Sequence, residues 1–124
     1  MKKILTICIL IILIVISSEY FLKKKIFKDF DYIIAILNTI DEKNNKEIRT
    51  KEIDNLYSFI ENEHLLMAFY IDHVELKNIE TQIIIIKASV DESDDAFLHE
   101  EVQRTIFNIN HLKQKIDFKL ENIL

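Results

Sequence analysis

Neither glycine nor proline occurs in this chain of 124 residues. Glycine is the usual residue where the backbone must take positive φ, and proline is the usual helix breaker. Sheet proteins join many short strands through tight turns that draw on both. A few long helices need very few such turns. The absence therefore predicts an all-α fold before any periodicity is considered. Hydrophobic residues make up 49% of the chain, enough for a core, and the length suits one globular domain rather than two.

The opening "MKKILTICILIILIVISSEYFL" places a charge-free run at residues 4–16 behind Lys2 and Lys3. Isoleucine and leucine surround this helix with no polar face, so a buried core helix is disfavoured. Two fates compete. As a signal peptide, the lysines form the n-region and the run forms the h-region. As an anchor, the segment needs roughly 20 apolar residues. Residues 4–22 reach that length if Ser17, Ser18 and Glu19 sit at the interface. Tyr20 and Phe21 then lie at headgroup level, with Lys23, Lys24 and Lys25 beyond. Cleavage after Ser18 would put Ile16 where a small residue is wanted, which favours the anchor. Residues 1–22 are thus expected as a transmembrane signal-anchor and 23–124 as a small antiparallel helical bundle. Lysines flank the anchor on both sides, so charge bias is nearly balanced. A long domain behind a first hydrophobic segment is usually exported. The expectation is a single-pass protein of the cell membrane with an extracytoplasmic body.

Charge and cysteine usage narrow the function classes. All 21 acids follow residue 18, against 14 of the 16 bases, leaving the body at −7. A nucleic-acid binder would carry a basic stripe, so no nucleic-acid partner is expected. The one basic cluster, Lys23–Lys25 with Lys28, flanks the apolar segment. Cys8 is the only cysteine, so the body has neither a disulfide framework nor a thiolate zinc site. Cys8 comes too early, and in the wrong context, for a lipoprotein cysteine; it is a small apolar residue of the anchor.

Beyond the anchor, the chain reads as four amphipathic segments. Ile26, Phe30, Ile33, Leu37 and Ile40 form a heptad seam, expected to continue the membrane helix without a break. "DEKNNK" (41–46) interrupts it, with Asn44 or Asn45 as cap of the next helix and Glu47 in its first turn. That second helix, about 46–61, puts Ile53, Leu56 and Ile60 on one face. "ENEH" (61–64) is a short connection with Asn62 as N-cap, or a continuation. The third helix is expected from about Leu65 to Val90, with Phe69, Leu76, Ile79, Ile83, Ile86 and Val90 apolar. "QIIIIK" (82–87) has strand-like composition, but a lone strand would lack a partner. Ser93 is expected to cap the fourth helix, with Asp94 and Asp95 in its first turn and Leu98, Val102, Ile106, Ile109, Leu112 and Ile116 inward. Short links between such segments imply antiparallel neighbours in a bundle of about four helices.

Candidate chemistry is sparse. "FYIDHVELKNIE" (69–80) gathers Asp72, His73 and Glu75. On a continuous helix Asp72 and Glu75 share a flank, while His73 is rotated about 100° toward Phe69 and Leu76. Asp72 is then a poor orienting partner for His73, and a boundary patch docking this helix fits better than catalysis. Glu61 and His64 form one E-x-x-H, but a di-metal bundle needs a second, and Ala96 and Asn108 precede His99 and His111 instead. Phosphate loops and EF-hands require glycine. No serine has a nucleophile's context. Tyr57, Phe59, Phe69 and Tyr70 form a ligand pocket, a protein-contact surface or simply core. No catalytic residue, metal or cofactor is expected. The candidate interaction patch comprises Tyr57, Phe69, Tyr70, Asp72, His73 and Glu75.

The plan of "MKK" with an apolar anchor, a helical body of about one hundred residues, "IDHVELKNIE" before a long periodic helix, and the closing "LENIL" resembles domain of unknown function 4363. Tyr57 stands near where a tryptophan is expected. The resemblance implies a small membrane-anchored bacterial protein with an extracytoplasmic helical body, in a Gram-positive-type envelope. It carries no activity, cofactor or site residue. Three functions are open: a non-enzymatic module acting through a protein partner or its own copies, a ligand-sensing domain near Tyr57, Phe69, Tyr70 and His73, and a metalloenzyme using Glu61, His64 and His73. The first is favoured.

Overall fold

The computed structural model describes the backbone of residues 1–123 and the side chains through Asp117; the closing "LENIL" lies outside the described side chains. Five helices account for the chain: α1 (Lys2–Glu42), α2 (Lys46–Asn62), α3 (His64–Tyr70), α4 (His73–Asp91) and α5 (Asp95–Ile123). The helix α1 runs 41 residues unbroken, from the apolar terminus into the body. Residues 1–18 are all exposed, and burial of apolar side chains begins at Ile26. This helix is long and apolar enough to cross a membrane.

The bundle is a ring of four long helices. Helix α1 packs on α2 and α5, and α4 packs on the same two, so chain neighbours are antiparallel. The expected seam of Ile26, Phe30, Ile33, Leu37 and Ile40 is fully buried. Ile53, Leu56 and Ile60 answer it from α2, Leu76, Ile79, Ile83, Ile86 and Val90 from α4, and Leu98, Val102, Ile109, Leu112 and Ile116 from α5. Ile106 is only half-buried. Buried hydroxyls do not disturb this interior. Ser89 and Thr105 donate to the carbonyls four residues back, Ile85 and Glu101.

The expected third helix is instead two. Ile71 and Asp72 are extended (φ −118°, ψ 133° and φ −60°, ψ 145°), which separates α3 from α4. The reason is packing: Met67 and Ile71 are the residues buried here, whereas Phe69 is 88% exposed. A continuous helix carrying Phe69 and Leu76 on one face would leave Met67 and Ile71 off the core. The α2–α3 joint is a single residue, Glu63, and Asn62 ends α2 rather than capping α3. Asn45 does cap α2, its side chain accepting from the amides of Glu47 and Ile48.

Ser93 is not a cap of α5. The helix α4 ends in a Schellman motif: the Asp94 amide reaches the Ser89 carbonyl and the Ser93 amide reaches the Val90 carbonyl. That motif needs a left-handed residue, and with no glycine in the chain Ser93 adopts φ 58°. Asp94 then caps α5, its side chain accepting from the Phe97 amide. A side chain in the left-handed region costs roughly 1 kcal/mol. Ser93→Gly is therefore expected to stabilise the fold by about 0.5 kcal/mol, the glycine's extra unfolded-state freedom offsetting part of the relief. Urea unfolding of the detergent-solubilised chain measures it; an unchanged or lowered midpoint contradicts the strain.

Candidate functional site

Two clusters of inter-helix polar contacts lie at the two ends of the body. Distal to the apolar terminus, α1 and α4 stop, and α2 and α5 begin. The last carbonyls of a helix have no partner within it, and neither α1 nor α4 has a basic residue in its last turn. The first turn of α2 supplies what both lack. Arg49, 6% exposed, donates from Nε to the Ile40 carbonyl (2.8 Å), from Nη2 to the Asp41 carbonyl (3.3 Å) and from Nη1 to Asp95 at the start of α5 (2.8 Å). Lys46 donates to the Asp91 carbonyl at the end of α4. The Asp41 carboxylate receives the ring of His99 at 2.7 Å. A point charge cannot serve three acceptors in one plane as a guanidinium does. Arg49→Met strands two carbonyls, while Asp95 is 60% exposed and stays hydrated, and should cost about 2 kcal/mol, with Arg49→Lys recovering only part. Urea titration of both variants tests this; a loss below about 1 kcal/mol rejects Arg49 as the clamp.

At the proximal end, Asp29 of α1 is 4% exposed. Lys25 donates to its Oδ1 (3.0 Å) and also reaches Glu63 at the α2–α3 joint (3.4 Å). The second oxygen, Oδ2, is buried with no hydrogen-bond partner. Burial pushes the Asp29 pKa up more than Lys25 pulls it down, and the neighbouring Glu63 pushes it further. A proton on Asp29 supplies the donor that two facing carboxylates lack. Lys25 in turn holds its proton more firmly, chiefly through its hydrogen bond to Asp29. Because the folded pKa lies above 3.8, folding takes up a proton. The contribution of Asp29 to stability is greatest below that value and declines as pH rises through the folded pKa. Asp29→Asn keeps an acceptor for Lys25 and adds a donor for Glu63. Its stability relative to the parent should rise with pH between acid and neutral, then level off. Thermal unfolding across pH measures the difference, and one that is flat or falls with pH refutes it.

The residues expected as a patch do not converge. Tyr57 is half-buried on α2 against the core, its phenol pushed up by burial and then by the charge of Glu80. Tyr70 is half-buried at the end of α3, pushed up by burial and then by Glu19. Phe69 points outward, and Asp72 and His73 are exposed at the break between α3 and α4. His73 is therefore exposed rather than half-buried at a helix boundary. Asp72 is the N-cap residue of α4, though its side chain makes no capping bond. The two acids do share a direction. Glu75 accepts from Lys115 of α5 at 2.5 Å, and the Lys115 pKa is raised by that bond first and by the Asp72 charge more weakly. The docking contact of this stretch is acid to lysine, and the histidine takes no part.

Between α4 and α5 lies a groove of about 200 Å³ lined by Glu75, Asn78, Ile79, Gln82, Asn108, His111 and Leu112. Gln82 Oε1 is buried there without a partner. Of the expected patch only Glu75 borders this groove. Among the described residues, no three histidine, cysteine or acidic side chains come together as a metal site. Glu61 and His64 accordingly sit in no such cluster; His64 lies 3.9 Å from Glu80 instead.

The fold and these contacts define a class: an all-α, up-down four-helix bundle built on the far half of one long helix whose near half is apolar and uncovered. Residues 18–123 match the model of the family described as Domain of unknown function (DUF4363), and the chain belongs to that family. The match begins at the end of the apolar run and takes in the whole bundle. No curated protein and no solved structure matches the chain.

Proposed function

We propose that this chain is a single-pass membrane protein whose extracytoplasmic helical body works through protein contacts, with no catalysis of its own. The observation that carries the proposal is the continuity of α1. One helix is uncovered over residues 1–18 and lines the core from Ile26 to Ile40. A helix without a break transmits position, so the anchor fixes the height and orientation of the bundle above the bilayer.

The residues just after the apolar run favour retention of the anchor. Signal cleavage needs an accessible stretch after the h-region. Here residues 19–25 are helical, and two of them are tied to the body: Lys23 pairs with Asp117 of α5, and Lys25 with Asp29 and Glu63. Phe27 is flanked by the ammonium groups of Lys23 (5.5 Å) and Lys113 (5.8 Å). A role in contacts is favoured by how the charged groups are used. Arg49, Lys25, Lys113 and Lys115 are each committed to another helix of the fold, so they hold shape rather than stand ready for a substrate.

A reporter fused at the C-terminus, together with mass spectrometry of the mature N-terminus, tests the proposal. The expected result is a chain retaining residues 4–22 in the membrane fraction, with the reporter active outside. A mature terminus near Glu19 makes the body secreted. Reporter activity confined to the inside reverses the orientation.

A further inference from the structure

Exposed apolar side chains are scattered along the body, Tyr32, Ile48, Ile84, Phe97 and Phe107 singly, but three others lie close in sequence at the proximal end. Phe69 is 88% exposed and Leu65 83%, the highest values among the described large apolar side chains beyond residue 22. They stand one turn apart on α3 and share a face. Val74, in the first turn of α4, is 67% exposed. The opposite face of α3 is spent on the core through Met67 and on packing through Leu66 and Tyr70.

The contacts of α3 fix its height along α1. Glu63, which precedes it, meets Lys25. Tyr70, which ends it, lies close enough to the half-buried Glu19 to feel its charge. Seven residues of helix advance about 10 Å, and the step from Lys25 back to Glu19 is about 9 Å. Helix α3, which packs on α2 and α4, therefore spans the height of residues 19–25 of α1. Residues 4–22 span about 28 Å as a helix, close to the roughly 30 Å of a hydrocarbon core. The level of Glu19 to Leu22 is the level where that core ends.

We propose that α3 is a second, peripheral membrane contact: Leu65 and Phe69, with Val74 beside them, insert into the interfacial zone of the bilayer that holds the anchor. This inference rests on the anchored reading above. The occupant is lipid because the neighbouring helix already passes through lipid at that height. Tyr20 and Phe21, exposed on α1 at the same level, are residues that favour the headgroup boundary. The contact is apolar, with Leu65 and Phe69 on the face away from the core, and binding of that kind scales with the apolar area buried. It would give the body two points on the membrane and so stop it from swivelling about α1.

The chain has no tryptophan, so single-tryptophan variants report without background. The full chain is reconstituted in phosphatidylcholine vesicles brominated near the headgroup end of the acyl chains. Three variants are compared: Tyr20→Trp in the anchor, Phe69→Trp on α3, and Phe107→Trp, an exposed site on α5 well above the bilayer. Circular dichroism checks that each retains its helix content. The expected result is that Tyr20→Trp and Phe69→Trp each lose about half their emission and shift to the blue, while Phe107→Trp does neither. Quenching at position 20 but not at 69 overturns the inference and leaves the anchor standing, with the α3 face then open to a protein. Absence of quenching at position 20 removes the anchor and the inference with it. Equal quenching at all three positions means general adsorption of the body and also overturns it.

Discussion

Arg49 is where the helix ends of the distal bundle meet. Its guanidinium takes two carbonyls that α1 cannot satisfy within itself and an aspartate that opens α5, from a position on α2. Three helices are thereby referred to one planar group. The charges are arranged with the helix dipoles: a cation sits at the C-terminal end of α1, and an anion at the N-terminal end of α5. Lys46 repeats the arrangement for α4. A helix N-terminus is a poor place for two cations on its own account. Their position on α2 makes sense only because the neighbouring helices end there. Burial of Ile40 and Val90 beneath this layer depends on the layer being closed, since open carbonyls would draw in water.

The proximal end is built on opposite terms. There the polar layer is Asp29, Lys25 and Glu63, two acids to one base, with one buried oxygen unpartnered. Around it the exposed apolar side chains of Leu65 and Phe69 stand among charged groups, with the pairs Lys23–Asp117 and Lys115–Glu75 nearby. Local stability depends on such differences. The distal end is held by a guanidinium with three partners. The proximal end is held by packing of Met67 and Ile71 and by a carboxyl whose ionisation opposes folding.

What the amino-acid sequence discloses, and what it hides, divides along the range of the interaction. The seam on α1 and the inward faces of α2, α4 and α5 repeat every three or four residues, so the sequence displays them directly. The Asn45 cap and the acids in first turns are equally local. Arg49 was invisible because nothing within its own helix marks it. Its acceptors are main-chain carbonyls 8 and 9 residues back and a carboxylate 46 residues on. The break at Ile71 and Asp72 was hidden for a related reason. Phe69 and Leu76 have heptad spacing and imitate a continuous stripe. Only the assembled core reveals that Met67 and Ile71 fill the space and Phe69 does not. Ser93 misleads through type: serine is a preferred N-cap, and here a glycine-free chain uses it for the left-handed residue that ends the preceding helix. Of the expected patch, Glu75 meets Lys115 of α5, a partner that nothing near Glu75 in the sequence marks.

These irregularities have a common placement. Residues 43–45 and 92–94 lie at the distal end, and Glu63 and residues 71–72 at the proximal end, while the long stretches between them are plain helix. A chain lacking both glycine and proline can turn only where side chains or tertiary contacts stabilise the turn. At the distal end Asn45, Asp94, Lys46 and Arg49 supply those contacts, and the turns there are short and hydrogen-bonded. At the proximal end neither Glu63 nor Asp72 makes a side-chain cap. What holds α3 is burial on one face alone, with its other face uncovered. An element so placed gains most from an apolar neighbour, and under the anchoring proposed above the neighbour that α1 brings to that height is the bilayer.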